Sequence, residues 1–170
     1  MAAPSGSSMP SAPVSAKQSS VALFRYGVRI GYELRGPVMD LIAQIDQLDH
    51  VLPASDTAGR KYASALRGAG EQMLGAVDGL AQYVEACRGA LEQGDQLEPD
   101  WTALNAQIGV VAHDINGSLG VLMGYAELLA LRTDGANPAA HAVAQAIIEG
   151  VNPLSDAVET LRGQAPGGRE

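Results

Sequence analysis

His113 and Asp114 stand side by side in the stretch AHDINGSLGVLMGYAELL, residues 112–129. An imidazole is both a nucleophile and a proton carrier near neutral pH, and an adjacent carboxylate can orient it. Asn116 adds an amide able to donate to an oxyanion. Gly117, Gly120 and Gly124 follow on the histidine's own face at helical steps, with Val121 beside them. Each glycine costs a helix interior about 1 kcal/mol relative to alanine. Three in one line below an exposed imidazole therefore predict that another chain comes close to the backbone there, and all four small or apolar residues are candidate partner contacts. Close packing against a neighbouring helix of the same molecule is the competing explanation.

These residues must ride on a helix. Leu104, Ile108, Val111, Ile115, Leu122 and Leu129 recur at near-heptad spacing from about Trp101 onward. With Val111 and Ile115 facing a core, His113 lies roughly 200° around the helix from each and points outward. TDGANP ends this helix: Gly135 suits a C-terminal cap, Asn137 an N-cap and Pro138 the first helical position. A fourth helix then runs to about Arg162, with Val143, Ile147, Val151, Leu154, Val158 and Leu161 inward, and Asn152–Pro153 is expected to kink or split it.

The first half repeats the arrangement. Leu23, Ile30, Leu34, Leu41 and Leu48 mark one face of a helix ending near Leu52–Pro53, and Ser55 or Asp56 offers an N-cap for a second helix from Lys61 to about Arg88. A gap-free shift of 81 residues superposes Leu23 on Leu104, Leu34 on Ile115, Gly36 on Gly117, Leu41 on Leu122, Val77 on Val158 and Leu80 on Leu161. We read a duplicated helical hairpin, residues 20–90 and 101–163, joined by a linker over 91–100. Residues 1–19, rich in Ser, Pro and Ala, read as an unstructured tail, and 164–170 as a flexible one. Two hairpins that are each apolar on one side can hide those sides against each other, so the expected fold is all-α, a four-helix bundle within one chain.

Composition narrows the partners. Hydrophobic residues make up 46% of the 170 residues and aromatics 4%, which suits a helical core of Leu, Val, Ile, Ala and Met. A net charge of -8 and a pI near 4.7 leave no basic stripe for nucleic acid or an anionic membrane. Cys87 is the only cysteine, so an intrachain disulfide and a cysteine metal cluster are both excluded. No apolar run is long enough to span a membrane and no secretory signal is evident, from which we expect a cytoplasmic protein. His50 and His141 lack the surroundings of His113 and read as surface residues; with the three histidines on different helices, no metal site and no cofactor are expected.

A-H-D-I-N followed by L-G-V-L-M-G-Y-A-E-L-L resembles the phosphoacceptor box of bacterial sensor histidine kinases, the first helix of their dimerisation and phosphotransfer domain. Gly124, Tyr125, Glu127, Leu128 and Leu129 match that box's G-Y-x-E-L-L ending. GYELRGPVMDLIAQIDQL in the first half resembles the E-L-R-x-P-L variant of the same box, with Tyr32 where the histidine should be. The resemblance covers roughly residues 20–163 and implies one competent hairpin and one degenerate one, together standing in for a kinase dimer, so that a monomer suffices. It further implies that His113 carries a phosphoryl group, that Asp114 orients the imidazole and that Asn116 contacts a receiver or phosphoryl oxygen. The ATP-binding domain of family kinases has no counterpart after Arg162, and no Gly-rich phosphate cradle occurs elsewhere, so autophosphorylation from ATP is not expected.

The resulting expectation is a histidine phosphotransfer protein, exchanging a phosphoryl group between His113 and the aspartates of response-regulator receiver domains, possible partners including a hybrid sensor kinase. A pseudo-kinase scaffold that docks a receiver or sensor kinase without being phosphorylated is the alternative, and a fragment that joins kinase bundles by helix exchange is a third. Family members that hydrolyse receiver phosphate carry Thr or Asn at the fourth position after the histidine; Gly117 stands there, so weak or absent phosphatase activity is expected. Arg29 and Arg35, near Tyr32, could steer an acidic receiver surface.

Overall fold

The computed structural model describes residues 15–167, and the described residues form helices joined by short turns. Ser15 opens the first helix with a capping box: its hydroxyl accepts from the Gln18 N–H, and the Gln18 side chain accepts from the Ser15 N–H. Helix α1, Ala16–Arg29, therefore starts inside the segment expected to be an unstructured tail, and Ser19 is buried against the bundle. The cap outweighs the Ser/Ala composition locally. The remainder of that expectation, residues 1–14, lies outside the described residues.

α1 continues without a break through a π-helical segment, Ile30–Arg35, into α2, Gly36–Val51. Two sequence features account for the wide turn. The buried residues Tyr26, Ile30, Leu34 and Val38 recur every fourth position, which overruns an α-helix of 3.6 residues per turn unless the helix widens. Pro37 would also clash with the carbonyl four residues back in an α-helix. At the end of the π segment the N–H of Gly36, the residue that follows it, donates to the Gly31 carbonyl, five residues back.

Asp56 caps α3, Thr57–Glu92, accepting from Gly59 N–H at 3.0 Å, so this helix is longer at both ends than the apolar stripe alone implied. After a loop in which Gly94 has φ of +76°, Asp100 caps α4, Trp101–Thr133. Gly135, at φ +69°, turns the chain, and Asn137 caps α5, Pro138–Gly163, with Pro138 in its first turn. Pro153 neither ends nor splits α5. Its ring and Glu149, whose carbonyl loses a helical partner, are both exposed, so water can meet the freed oxygen.

The short connections make successive helices antiparallel neighbours. α3 packs on the α1–α2 rod and on α4, α4 also packs on α5, and α5 returns to α2 and the π segment, which closes a four-helix bundle. Its core holds the residues expected of the first, third and fourth helices, including Leu23, Leu48, Leu104, Leu122 and Leu154, together with Leu66, Met73, Val77, Leu80 and Val84 of α3. Only Val143 of those stripes is half-buried, its place taken by Ala140 and Ala144.

Polar ties join the hairpins at each end. Arg132 donates to Asp56 at 2.7 Å and the Asn137 amide to the Val51 carbonyl at 2.8 Å, while the Tyr26 hydroxyl reaches the Leu161 carbonyl at 3.0 Å. The end after α5 is also less free than its composition suggested. Ala165 packs on the core, and Gly167, at φ +78°, lies so close to the Trp101 ring that a Cβ there would clash. Among the described residues, no helix is long and apolar enough to cross a membrane.

Candidate functional site

His113 projects from the middle of α4, its side chain 90% exposed. Val111, Ala112 and Ile115 are buried on the opposite face, which fixes the histidine outward as their spacing requires. Asp114 is the imidazole's nearest charged neighbour: Nδ1 lies 3.5 Å from Oδ1, a favourable electrostatic contact but too long for a good hydrogen bond.

Beside the imidazole runs an open groove of about 490 Å³ between α3 and α4. His113, Asp114, Gly117, Ser118 and Val121 form its α4 wall, and Gln72 and Ala76 of α3 the other. A second hollow along α4 is lined by Gly120, Val121, Gly124 and Leu128. A Cβ added at Gly117, Gly120 or Gly124 would meet nothing within 4 Å. Packing inside the bundle therefore does not account for the glycines. Gly70 and Gly150 differ: a Cβ there would lie 3.0 Å from Ile42 and 2.7 Å from Leu41, so these two admit a neighbouring helix.

Asn116 lies on the other flank of α4. Its Nδ2 donates to Glu159 of α5 at 3.3 Å, so the amide is engaged within the bundle and is not part of the His113 groove. The equivalent pair in the first half is Arg35 and Asp78, joined at 2.9 Å; the 81-residue shift carries Arg35 onto Asn116 and Asp78 onto Glu159. The same shift carries the cap Asp56 with its donor Gly59 onto Asn137 with Ala140. Glu159, Gln72 and Ala76 escaped the motif reading because motifs are local, whereas these residues reach the site across helices. The 81-residue register relates the two pairs, so that either one locates the other once a pair of arms is packed.

Several other expectations change. Arg29 and Arg35 are not offered to a partner: Arg29 pairs with Glu33 at 2.9 Å and also meets Gln164, while Arg35 holds Asp78. The contact with Arg29 holds the Glu33 carboxyl below its usual range. His141 is half-buried, not a free surface residue, its Nδ1 within 2.9 Å of the Ala130 carbonyl. His50 is exposed, and Tyr32 is 81% exposed at the position equivalent to His113. No family model, curated protein or solved structure matches the chain.

Proposed function

We propose that the chain is a histidine phosphotransfer protein of a two-component relay, carrying a phosphoryl group on His113 between aspartates of receiver domains. The reading rests on one observation above the others: a nearly fully exposed imidazole, with a carboxylate 3.5 Å from its Nδ1, stands beside an open groove whose wall includes Gly117. Nothing in the bundle's own packing calls for those glycines.

In the transfer, the Nε2 lone pair attacks phosphorus of an aspartyl phosphate on the visiting domain. The P–O bond breaks and its electron pair leaves with the aspartate carboxylate, while the Nδ1 proton stays beside Asp114. The return step reverses this with a second aspartate. Such transfer has a loose transition state, so alignment and charge stabilisation do most of the work. His113 supplies the acceptor and α4 its alignment; charge on the phosphoryl oxygens is left to the receiver's own cation. The duplicated hairpin belongs to the same reading, with the Tyr32 half as a degenerate counterpart that completes the bundle. Receiver domains are the partners, the cytoplasm is the compartment, and the working form is a monomer.

Hydrolysis is expected to be weak. Gly117 has no side chain to orient water, and the Asn116 amide is turned to Glu159. The test is incubation with a receiver carrying labelled aspartyl phosphate. The reading expects acid-labile label on the wild-type chain and none on His113→Ala. Receiver binding without label on either protein would replace the carrier by a scaffold.

A further inference from the structure

Val21, Phe24, Val28 and Tyr32 recur at steps of three, four and four along the outer face of α1 and the π segment, every one at least 42% exposed. The steps sum to eleven, the apolar repeat of an amphipathic helix face and not a strict heptad. The bundle does not use it, because α1 already buries Leu23, Tyr26 and Ile30 on its inner side. Nor does the hairpin plan require it: the equivalent residues of α4 are Thr102, Asn105, Gly109 and His113. The first hairpin therefore carries an apolar outer stripe that its counterpart lacks.

Charge indicates what would cover it. The α1 sequence AKQSSVALFRYGVR holds Lys17, Arg25 and Arg29 and no acid, in a chain of net charge -8. Arg29 is committed to Glu33, whereas Lys17 and Arg25 form no salt bridge among the described residues. Those two flank Val21 in a hollow of about 550 Å³. Arg88, reaching over from α3, lies 6.0 Å from the Phe24 ring centre, a cation–π contact at the rim of the same stripe. Glu85 and Glu92 already hold it, so Lys17 and Arg25 are the uncommitted cations of this face among the described residues.

We propose that this face docks an amphipathic helix of a partner protein, one with a continuous apolar stripe and acidic residues on its flanks. A second copy of the chain presenting the same face would set like charges against each other. Residues 1–14 contain no Asp or Glu, so the chain's own N-terminal segment lacks the complementary charge. An anionic bilayer would meet the repulsion of the whole acidic molecule. The docking face is separate from His113 and does not depend on phosphoryl transfer.

The probe is a helical peptide of two eleven-residue repeats with Leu along one face at steps of three, four and four and Glu on the flanks, compared with a twin carrying Lys on the flanks. Titrated into the full chain, the Glu peptide should bind at least about tenfold tighter than the Lys peptide. Phe24→Ser and Arg25→Glu, both at exposed positions, should each weaken it by about tenfold or more, while the melting temperature stays near that of the wild type. His113→Ala should leave binding unchanged. Absence of binding, equal affinity for the two peptides, or indifference to both substitutions overturns the proposal. So does self-association, or binding to phosphatidylglycerol vesicles in place of the peptide, if Phe24→Ser abolishes it.

Discussion

Tyr26 and Tyr32 share one helix and meet opposite surroundings. Tyr32 stands in solvent, whereas Tyr26 is buried with its hydroxyl donating to the Leu161 carbonyl in the last turn of α5. Burial pushes the Tyr26 phenol up to about 12, against the opposing pull of Arg29. The neutral phenol is thus the form the fold holds, and its stabilisation is complete below pH 10. Between pH 10 and about 12 the unfolded chain loses this proton and the folded chain keeps it, so stability falls as pH rises. Tyr26→Phe should cost about 1 kcal/mol at neutral pH by removing the hydroxyl's hydrogen bond, the Leu161 carbonyl keeping only its longer contact from the Gln164 N–H at 3.3 Å. Urea titrations should also show the wild type losing stability faster than Tyr26→Phe between pH 10 and 12; parallel curves would contradict the assignment. At this scale the outward aim of His113 was legible, because two buried neighbours fix it. The partners of Arg29, Arg35, Asn116 and His141 were not, since each bond joins residues that only the fold brings together or that helical spacing leaves ambiguous.

Among the helices, α4 is the one whose composition conflicts with its stability. Gly117, Gly120 and Gly124 lower helix propensity and admit no neighbour, while Gly150 of α5 makes room for Leu41. The two kinds of glycine should separate by experiment. Replacing Gly117, Gly120 and Gly124 together by alanine should stabilise the chain, each contributing up to about 1 kcal/mol, and should slow phosphoryl transfer from a receiver at least several-fold. Gly150→Ala should gain no such stability, because the propensity gain is opposed by overpacking worth about 1–3 kcal/mol. A triple variant that melts higher and transfers at the wild-type rate would remove the partner-contact role of the stripe. Apolar periodicity and the Asn137 cap made the helices and one turn readable in advance. The π segment was not foreseen, because threes and fours were summed over the whole rod; the unbroken fours from Tyr26 to Val38, ahead of Pro37, were the overlooked signal.

For the whole molecule, the two hairpins close on each other by burying four apolar stripes and tying their ends with Arg132–Asp56, Asn137–Val51 and Tyr26–Leu161. A bundle completed within one chain buries its core stripes internally, and the outer α1 stripe carries like charges that oppose pairing with a second copy, so sedimentation should report a single species of 17.5 kDa across micromolar concentrations. A dimer that dissociates on dilution would contradict that account. The apolar stripes made the four-helix layout readable, whereas the lengths were not: the 81-residue shift sets α3 against α5, yet α3 has 36 residues and α5 has 26. The acid-on-donor ties between hairpin arms, Asp78 to Arg35 and Glu159 to Asn116, follow the same register and were visible only once the arms were packed. The account's central claim is that His113 both takes and gives up a phosphoryl group. It is tested most directly by a chase: a receiver loaded with labelled aspartyl phosphate is mixed with the chain, and an unlabelled second receiver is then added. The account predicts label passing through an acid-labile adduct on the peptide containing His113 to the second receiver's aspartate, with no passage through His113→Ala. Label that reaches the second receiver equally well with the alanine variant, or never enters the wild-type chain from any receiver, would contradict it.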